Sequence, residues 1–323
     1  MVPALVLTAG PATRLRPLSL VRAKAALPVA GVPLIRRILG SLAAAGIADV
    51  VLNLHHLPHT LTAIVGDGSD LGLAVRYSWE TPVLGSAGGP KRALPLLAGL
   101  GARDSGLGET VLIVNGDTLT NVDLRGLVEE HRQTGALVTL AVIRNADPDK
   151  YGGVTVSGDG AVTGFAKRGS REPSFLFIGV QAVEPETFAT VPPGVPYETV
   201  GTLYPSLLAS RPGLVRAFRT TAEFMDIGTP ADYLATSLLL EAREPTSRVE
   251  PRRAVVSPSA SIERSVLWDD VVVEDGARLS ECVVTDGVRV PPETSWHRVS
   301  LRIASGELMP QERRMGGLAI AAI

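Results

Sequence analysis

The sequence predicts an α/β fold, a mainly parallel sheet flanked by helices, with a short β-solenoid after it. The alternation of its elements predicts the sheet, its length and composition admit a second domain, and a repeat predicts the solenoid. Apolar strand-like runs alternate with helix-like segments of about 10 to 15 residues, the signature of parallel strands joined by right-handed crossovers. At 323 residues, 45% hydrophobic and 20% charged, the chain can bury a sizeable core and is long enough for two domains. From Val256 onward it repeats itself at a spacing of 17 residues.

The first strand is read at Pro3–Leu7, and a helix from Pro33 to Ala45 is closed by Gly46, with proline at its start and glycine past its end. Strands are expected over Ala48–Leu54 and Leu73–Trp79, a helix around Pro90–Leu97, and a very apolar strand over Thr110–Asp117. A helix over Asp123–Thr134 and a strand over Ala136–Ile143 follow. Such sheets bind ligands where loops leave the carboxyl ends of the strands. From Gly152 to Lys167 two alternating runs flank a Ser-Gly-Asp-Gly turn, which is hairpin chemistry. Beyond strands near Phe175–Val183 and Leu214–Arg219, Thr229, Pro230 and Asp232 mark the cap, first position and first turn of a helix. The polar run Arg243–Arg253 reads as a linker, which puts a domain boundary near residue 245.

In the repeat, Val256, Val273 and Val290 coincide, as do Ile262, Leu279 and Trp296, and Leu267, Val284 and Leu301. Three copies of this pattern fit short strands wound into coils whose faces each bury one apolar side chain. Cys282 aligns with Ser265 and Val299 and reads as a small buried packing residue rather than a reactive thiol. Three coils make a thin core, so the solenoid is expected to lean on the first domain or on a second subunit. The apolar run Met315–Ile323 is expected to pack against the solenoid or that subunit.

Composition excludes several functions. A net charge of −2 and 4% aromatic residues give neither the basic footprint nor the stacking surface of a nucleic-acid binder. A single cysteine suits a reducing compartment, and no run reaches the roughly 18 apolar residues of a membrane span; a cytoplasmic protein is expected. His55, His56 and His59 crowd one segment without acidic or cysteine neighbours, which reads as a surface loop rather than a metal site. His131 has no evident partner, and Glu129 and Glu130 read as a solvated face.

The stretch Leu7–Val29 concentrates Gly10, Arg14, Arg16, Arg22 and Lys24 just after the first strand. Glycine lets backbone approach a ligand, and an arginine fork with a lysine point charge suits a polyphosphate; solvated surface charge is the alternative reading. The pattern is neither GxxxxGK[ST] nor GxGxxG. Work on a nucleoside triphosphate also calls for magnesium and hence carboxylates at strand ends. Asp117, after Gly116, and Asp226, before a capped helix, are placed for that.

Taken in order, these motifs resemble the nucleotidyltransferase family of sugar-1-phosphate pyrophosphorylases, which includes mannose-1-phosphate guanylyltransferases and N-acetylmuramate-1-phosphate uridylyltransferases. Leu7–Leu34 is similar to the family opening LxAGxGTRLxPLTxxxPKxLxPVxGxPL, and LGSAG at Leu84–Gly88 to its LGTAG nucleotide loop. NGDTL and DIGTPADYL resemble its two metal-aspartate motifs, YGGV its sugar-side YGxV, and the solenoid its left-handed β-helix. The resemblance implies a Rossmann-like, mixed, mainly parallel sheet between helices over 1–244, a β-helix over 254–305 and a tail over 306–323. It implies a one-step displacement in which a sugar 1-phosphate oxygen attacks the α-phosphorus of GTP or UTP and releases pyrophosphate. Arg14 would hold the pyrophosphate, Lys24 would bridge the reacting phosphates, and Asp117 and Asp226 would hold Mg2+. Ala9, Gly10, Thr13, Gly85, Ser86 and Gly116 would complete the nucleotide site, with Gly152, Lys167 and Gly179 on the sugar phosphate. A homodimer is expected.

The chain departs from the family pattern at four places. Ala12 replaces the second loop glycine and is expected to need a negative φ, and Ala23 replaces the proline before the lysine. Ala166 and Phe177 replace a glutamate and an asparagine of the sugar pocket, so the sugar stays open. Arg22 reads as surface charge, and Arg16 is unassigned.

Overall fold

The computed structural model describes residues 2–97, 110–244 and 253–323, and the expected linker falls largely outside them. The chain forms two compact units, one of Met1–Gly10 with Arg37–Met225 and one of Pro11–Arg36 with Asp226–Ile323. Among the described residues no helix is long and apolar enough to cross a membrane.

The first unit is built on a mixed sheet of nine strands. Val111–Asn115, Ala4–Leu7, Asp49–Leu54 and Ala74–Trp79 lie side by side in parallel. Phe175–Val183 runs antiparallel to both Val111–Asn115 and Val138–Arg144, and Val215–Arg219 adds in parallel to the latter. The hairpin expected between Gly152 and Lys167 forms from Gly153–Val156 and Val162–Ala166. Leu5, Val51, Ile113, Leu140 and Val183 are fully or almost fully buried, as strands covered on both faces require.

The helix expected around Pro90 starts earlier, at Gly85. Gly88 and Gly89 serve packing within it: a Cβ on Gly88 would lie 2.7 Å from the Val195 carbonyl, and one on Gly89 2.6 Å from Glu80 Oε1. His131 has partners that its sequence neighbourhood did not suggest. It is buried, with Nδ1 2.8 Å from Thr139 Oγ1 and Nε2 3.1 Å from Glu184 Oε1. Burial opposes the Glu184 charge, but hydrogen bonds from His131 and Thr110 hold the carboxyl below its usual range.

The second unit joins an N-terminal segment to the last third of the chain. Its helix Pro230–Arg243 is capped by Thr229, whose Oγ1 accepts from the Asp232 amide at 3.1 Å. Beyond it the repeat winds into a short β-helix whose coils stack in register at the expected spacing. Val256 pairs with Val273 and Val273 with Val290, Ile262 with Leu279 and Leu279 with Trp296, and Leu267 with Val284 and Val284 with Leu301. Cys282 is buried, its Sγ donating to the Ser280 carbonyl, and burial pushes the thiol up. The apolar tail strand Leu318–Ala322 pairs antiparallel with Val299–Ile303. A buried ion pair, Arg302 with Glu312 at 2.6 Å, fastens the loop before it.

Arg22 is not surface charge. Its side chain is held by Asp269 and Asp286, aspartates at equivalent positions of successive coils, and lies over Trp268. A charge spaced for solvent in the sequence meets its counter-charges only once the coils stack, which a reading of local spacing does not reveal.

Candidate active site

In the first unit the site is built at the carboxyl ends of neighbouring parallel strands. After Leu7 the chain turns at Thr8, Ala9 and Gly10. The amides of Thr8 and Ala9 donate to Asn53 Oδ1 at 2.6 and 3.2 Å, and Thr8 Oγ1 donates to the Asn53 carbonyl. Asn53 Nδ2 donates to Glu80 Oε1 at 2.7 Å, and Glu80 Oε2 accepts from the Leu84 amide at 2.7 Å. Both side chains are buried, so every one of these bonds is worth more than it would be in water. The network locks the turn after the first strand to the start of the Gly85 helix. Beyond it Gly10 is exposed, and a Cβ there would meet nothing within 4 Å; the chain itself leaves that side of the backbone open.

Gly85 and Ser86 form the first turn of the helix Gly85–Leu97. Gly85 has a φ of +73°, and a Cβ on it would lie 2.8 Å from the Tyr197 carbonyl. Ser86 Oγ donates to Glu198 Oε2 at 2.6 Å and accepts from the Thr199 amide at 2.8 Å. The Tyr197 carbonyl accepts from the amides of Ala87 and Gly88, filling positions that a helix N-terminus otherwise leaves open.

Gly116 lies where the end of the strand Val111–Asn115 passes the first strand, and a Cβ on it would be 2.7 Å from the Leu7 carbonyl. Asp117 follows, partly exposed, accepting from Thr118 Oγ1 at 3.2 Å. Gly179 sits at an irregularity in Phe175–Val183 with a φ of +76°, and a Cβ there would be 2.9 Å from Asn115 Nδ2. Gly152 and Lys167 flank the hairpin and are exposed; a Cβ on Gly152 would lie 3.1 Å from the Ala166 carbonyl. The structure thus sets Gly116 against Leu7 and Thr8, which lead into Ala9 and Gly10, and sets Gly179 beside the strand that leads to Asp117.

The remaining candidates lie in the second unit. Thr13 and Arg14 are exposed on a one-turn 3-10 helix, Thr13–Leu15. The expectation that Ala12 needs a negative φ is overturned: it is left-handed, with φ 47° and ψ 49°. Its carbonyl accepts from the Leu15 amide at 3.0 Å and from buried Ser19 Oγ at 2.9 Å. The turn therefore imposes the conformation against a cost of about 1–2 kcal/mol for an L-residue. Lys24 is half-buried on a second such turn, Lys24–Ala26. Asp226 is also half-buried, and its Oδ2 would lie 3.0 Å from a Cβ on Gly228.

Sequence reasoning missed Asn53, Glu80 and Glu198. Asn53 did carry a signal, a polar residue near the end of an apolar strand, the same mark that singled out Asp117, whereas Glu80 follows a mostly exposed strand and carried none. Glu198 had none, because its link to Ser86 spans 112 residues.

Among the described residues no group of three or more His, Cys, Asp or Glu is arranged to hold a metal. Asp117 and Asp226 offer carboxylates, which suits magnesium, an ion bound by one or two carboxylates together with phosphate oxygens and water.

The model of the nucleotidyl transferase family matches residues 3–243. The chain is 33% identical over 300 residues to a mannose-1-phosphate guanylyltransferase of Mycobacterium tuberculosis, covering 90% of this chain and 81% of that protein. It is 27% identical over 307 residues to a UTP–glucose-1-phosphate uridylyltransferase of Synechocystis, covering 89% and 76%. Two solved structures share the fold. HddC of Yersinia pseudotuberculosis gives a TM-score of 0.62 at 20% identity, covering 74% of this chain and all of that one. A glucose-1-phosphate thymidylyltransferase, described as putative, from Bacillus anthracis gives 0.63 at 18%, covering 74% and 95%.

Proposed function

The chain belongs to the nucleotidyl transferase family, and from that premise we propose that it joins GTP to mannose 1-phosphate, yielding GDP-mannose and pyrophosphate. The observation that carries the choice of substrates is the 33% identity to a mannose-1-phosphate guanylyltransferase over 90% of this chain. A phosphate oxygen of the sugar 1-phosphate attacks the α-phosphorus; the bond from that phosphorus to the β-phosphate oxygen breaks, and pyrophosphate leaves. No enzyme nucleophile is required, so the chain's contribution is alignment and neutralisation of charge.

In this proposal Arg14 takes the charge that develops on the departing pyrophosphate, its planar fork suited to two oxygens at once. Lys24 bridges the reacting phosphates as a point charge. The backbone of Ala9, Gly10 and Thr13 lies along the triphosphate, and Gly85, Ser86 and Gly116 line the nucleoside. Gly152, Lys167 and Gly179 receive the sugar phosphate. Asp117 and Asp226 are the residues to hold Mg2+, which when bound would neutralise and orient phosphate oxygens. A cytoplasmic setting and a homodimer belong to the same reading.

Pyrophosphate release, measured for each of four nucleoside triphosphates against mannose-, glucose-, N-acetylglucosamine- and N-acetylmuramate 1-phosphate with Mg2+, tests it. GTP with mannose 1-phosphate is expected to turn over fastest. A faster uridylyl transfer would replace the substrates proposed here, and absence of turnover with every pair would refute the activity.

A further inference from the structure

Lys24 lies in a short run of the second unit whose two ends are both tied to elements more than 200 residues away. At one end Arg22 Nε and Nη2 donate to Asp286 Oδ2 and Oδ1 at 2.7 and 2.6 Å, and Nη2 also donates to Asp269 Oδ2 at 2.7 Å. The Asp269 amide donates to Asp286 Oδ1 at 3.1 Å, binding the two coils at that point. The guanidinium carbon is 5.4 Å from the centre of the Trp268 ring, which is itself buried. Trp268 Nε1 donates to the Tyr233 hydroxyl at 2.8 Å, and the two rings meet edge to face at 6.2 Å. Tyr233, on the helix Pro230–Arg243, donates to the carbonyl of Pro28, the other end of the run.

Hydrogen bonds and ring contacts therefore close a circuit from Arg22 through the β-helix and the helix back to Pro28. The Arg22 side chain is only 14% exposed, and a bidentate, charge-assisted fork on carboxylates, stacked on an indole, fixes direction as well as distance. Burial works against its charge, but Asp286 and Asp269 hold the guanidinium above its ordinary range. Between the pins, Ala23 has a φ of −54° and a ψ of 146°. That φ is one a proline would enforce covalently, so in this chain the restraint on the approach to Lys24 comes from contacts instead.

The geometry points to Arg22 as a positioning residue: through Asp269, Asp286 and Trp268 the β-helix sets the place of Lys24, and is thereby part of the phosphate-handling apparatus. This rests on the role proposed above for Lys24. Arg22 itself is engaged with two carboxylates and acts through Lys24, not on the substrate.

The test is steady-state pyrophosphate release by wild type, Arg22→Met, Arg22→Lys, Asp286→Asn, Lys24→Ala and the double variant Arg22→Met/Lys24→Ala. Arg22→Met and Asp286→Asn are each expected to lower kcat about tenfold or more, with the sugar-phosphate KM within about twofold, since small misplacements of a catalytic charge cost rate steeply. Arg22→Lys, which keeps the charge but not the fork, falls between. In the Lys24→Ala background Arg22→Met is expected to cost nothing further, because the group it positions is gone. Wild-type rates in Arg22→Met, or losses that multiply in the double variant, would overturn the inference. If Arg22→Met does not fold, the near-isosteric Asp286→Asn carries the same comparison. If wild type turns over no substrate pair, the activity reading fails, and the clamp is judged by hydrogen exchange. Amides 23–27 should then exchange about tenfold faster in Asp286→Asn; unchanged exchange overturns it.

Discussion

The two units handle left-handed backbone in different ways. In the sheet unit it falls mainly on glycines, and at Gly85 and Gly179 a side chain would also strike a neighbour. Leu57 is the exception among its described residues. In the β-helix unit it falls largely on residues with side chains: Ala12 and Ala30 in the segment Pro11–Arg36, and Arg253, Arg264, Asp270, Glu281, Glu293 and Arg298 in the solenoid. Arg264, Glu281 and Arg298 are spaced 17 apart, one per coil, and their charges alternate, with Glu281 carboxylate oxygens 3.3 and 3.8 Å from the guanidinium nitrogens on either side. Coil stacking dictates the corner there, and strain at each corner is met by many parallel backbone bonds. At Gly85 and Gly179 in the sheet unit, glycine marks a position where a second group needs the room. In the solenoid, a missing glycine says nothing against a tight turn.

That contrast can be broken by substitution. Gly179→Ala should be the most costly, roughly 3 kcal/mol, because it combines a left-handed alanine with a contact on Asn115; a denaturant midpoint equal to wild type would mean the strand relaxes freely. Glu281→Val should cost about 2 kcal/mol, a β-branched residue being a severe outlier at a positive φ. Glu281→Gly at the same corner should stay within about 1 kcal/mol of wild type, relief of strain offsetting two half-exposed ion pairs. If the valine and glycine variants melt alike, the corner is not held by backbone geometry. The smallest effect is expected for Ala12→Gly, a gain of no more than about 1 kcal/mol, since the greater freedom of the unfolded chain opposes the relief. A loss of stability beyond that would show that Ala12 contributes contacts that outweigh its strain.

Much of the fold was legible because it rests on local or periodic signals. The 17-residue repeat predicted the coil register, Thr229 with Pro230 predicted the cap of the last long helix, and the hairpin about Ser157–Gly160 formed where its turn residues stood. The start of the Gly85 helix was hidden because glycines that ordinarily end helices are there for close packing. Within the site, the Asn53–Glu80 network and the Ser86–Glu198 pair escaped notice because each joins residues that only the fold brings together. Arg22 escaped for the same reason, its partners lying on coils at the far end of the chain. At Ala12 the residue type favours a negative φ, and the hydrogen bonds to its carbonyl decide otherwise.

In the proposed reaction Asp117 and Lys24 each serve nucleotidyl transfer. The most direct measurement is kcat/KM for pyrophosphate release from GTP and mannose 1-phosphate by wild type, Asp117→Ala and Lys24→Ala, each checked by thermal melting. A loss of about 100-fold or more is expected in both variants, with Tm within about 3 °C of wild type. Wild-type activity in either variant would contradict it.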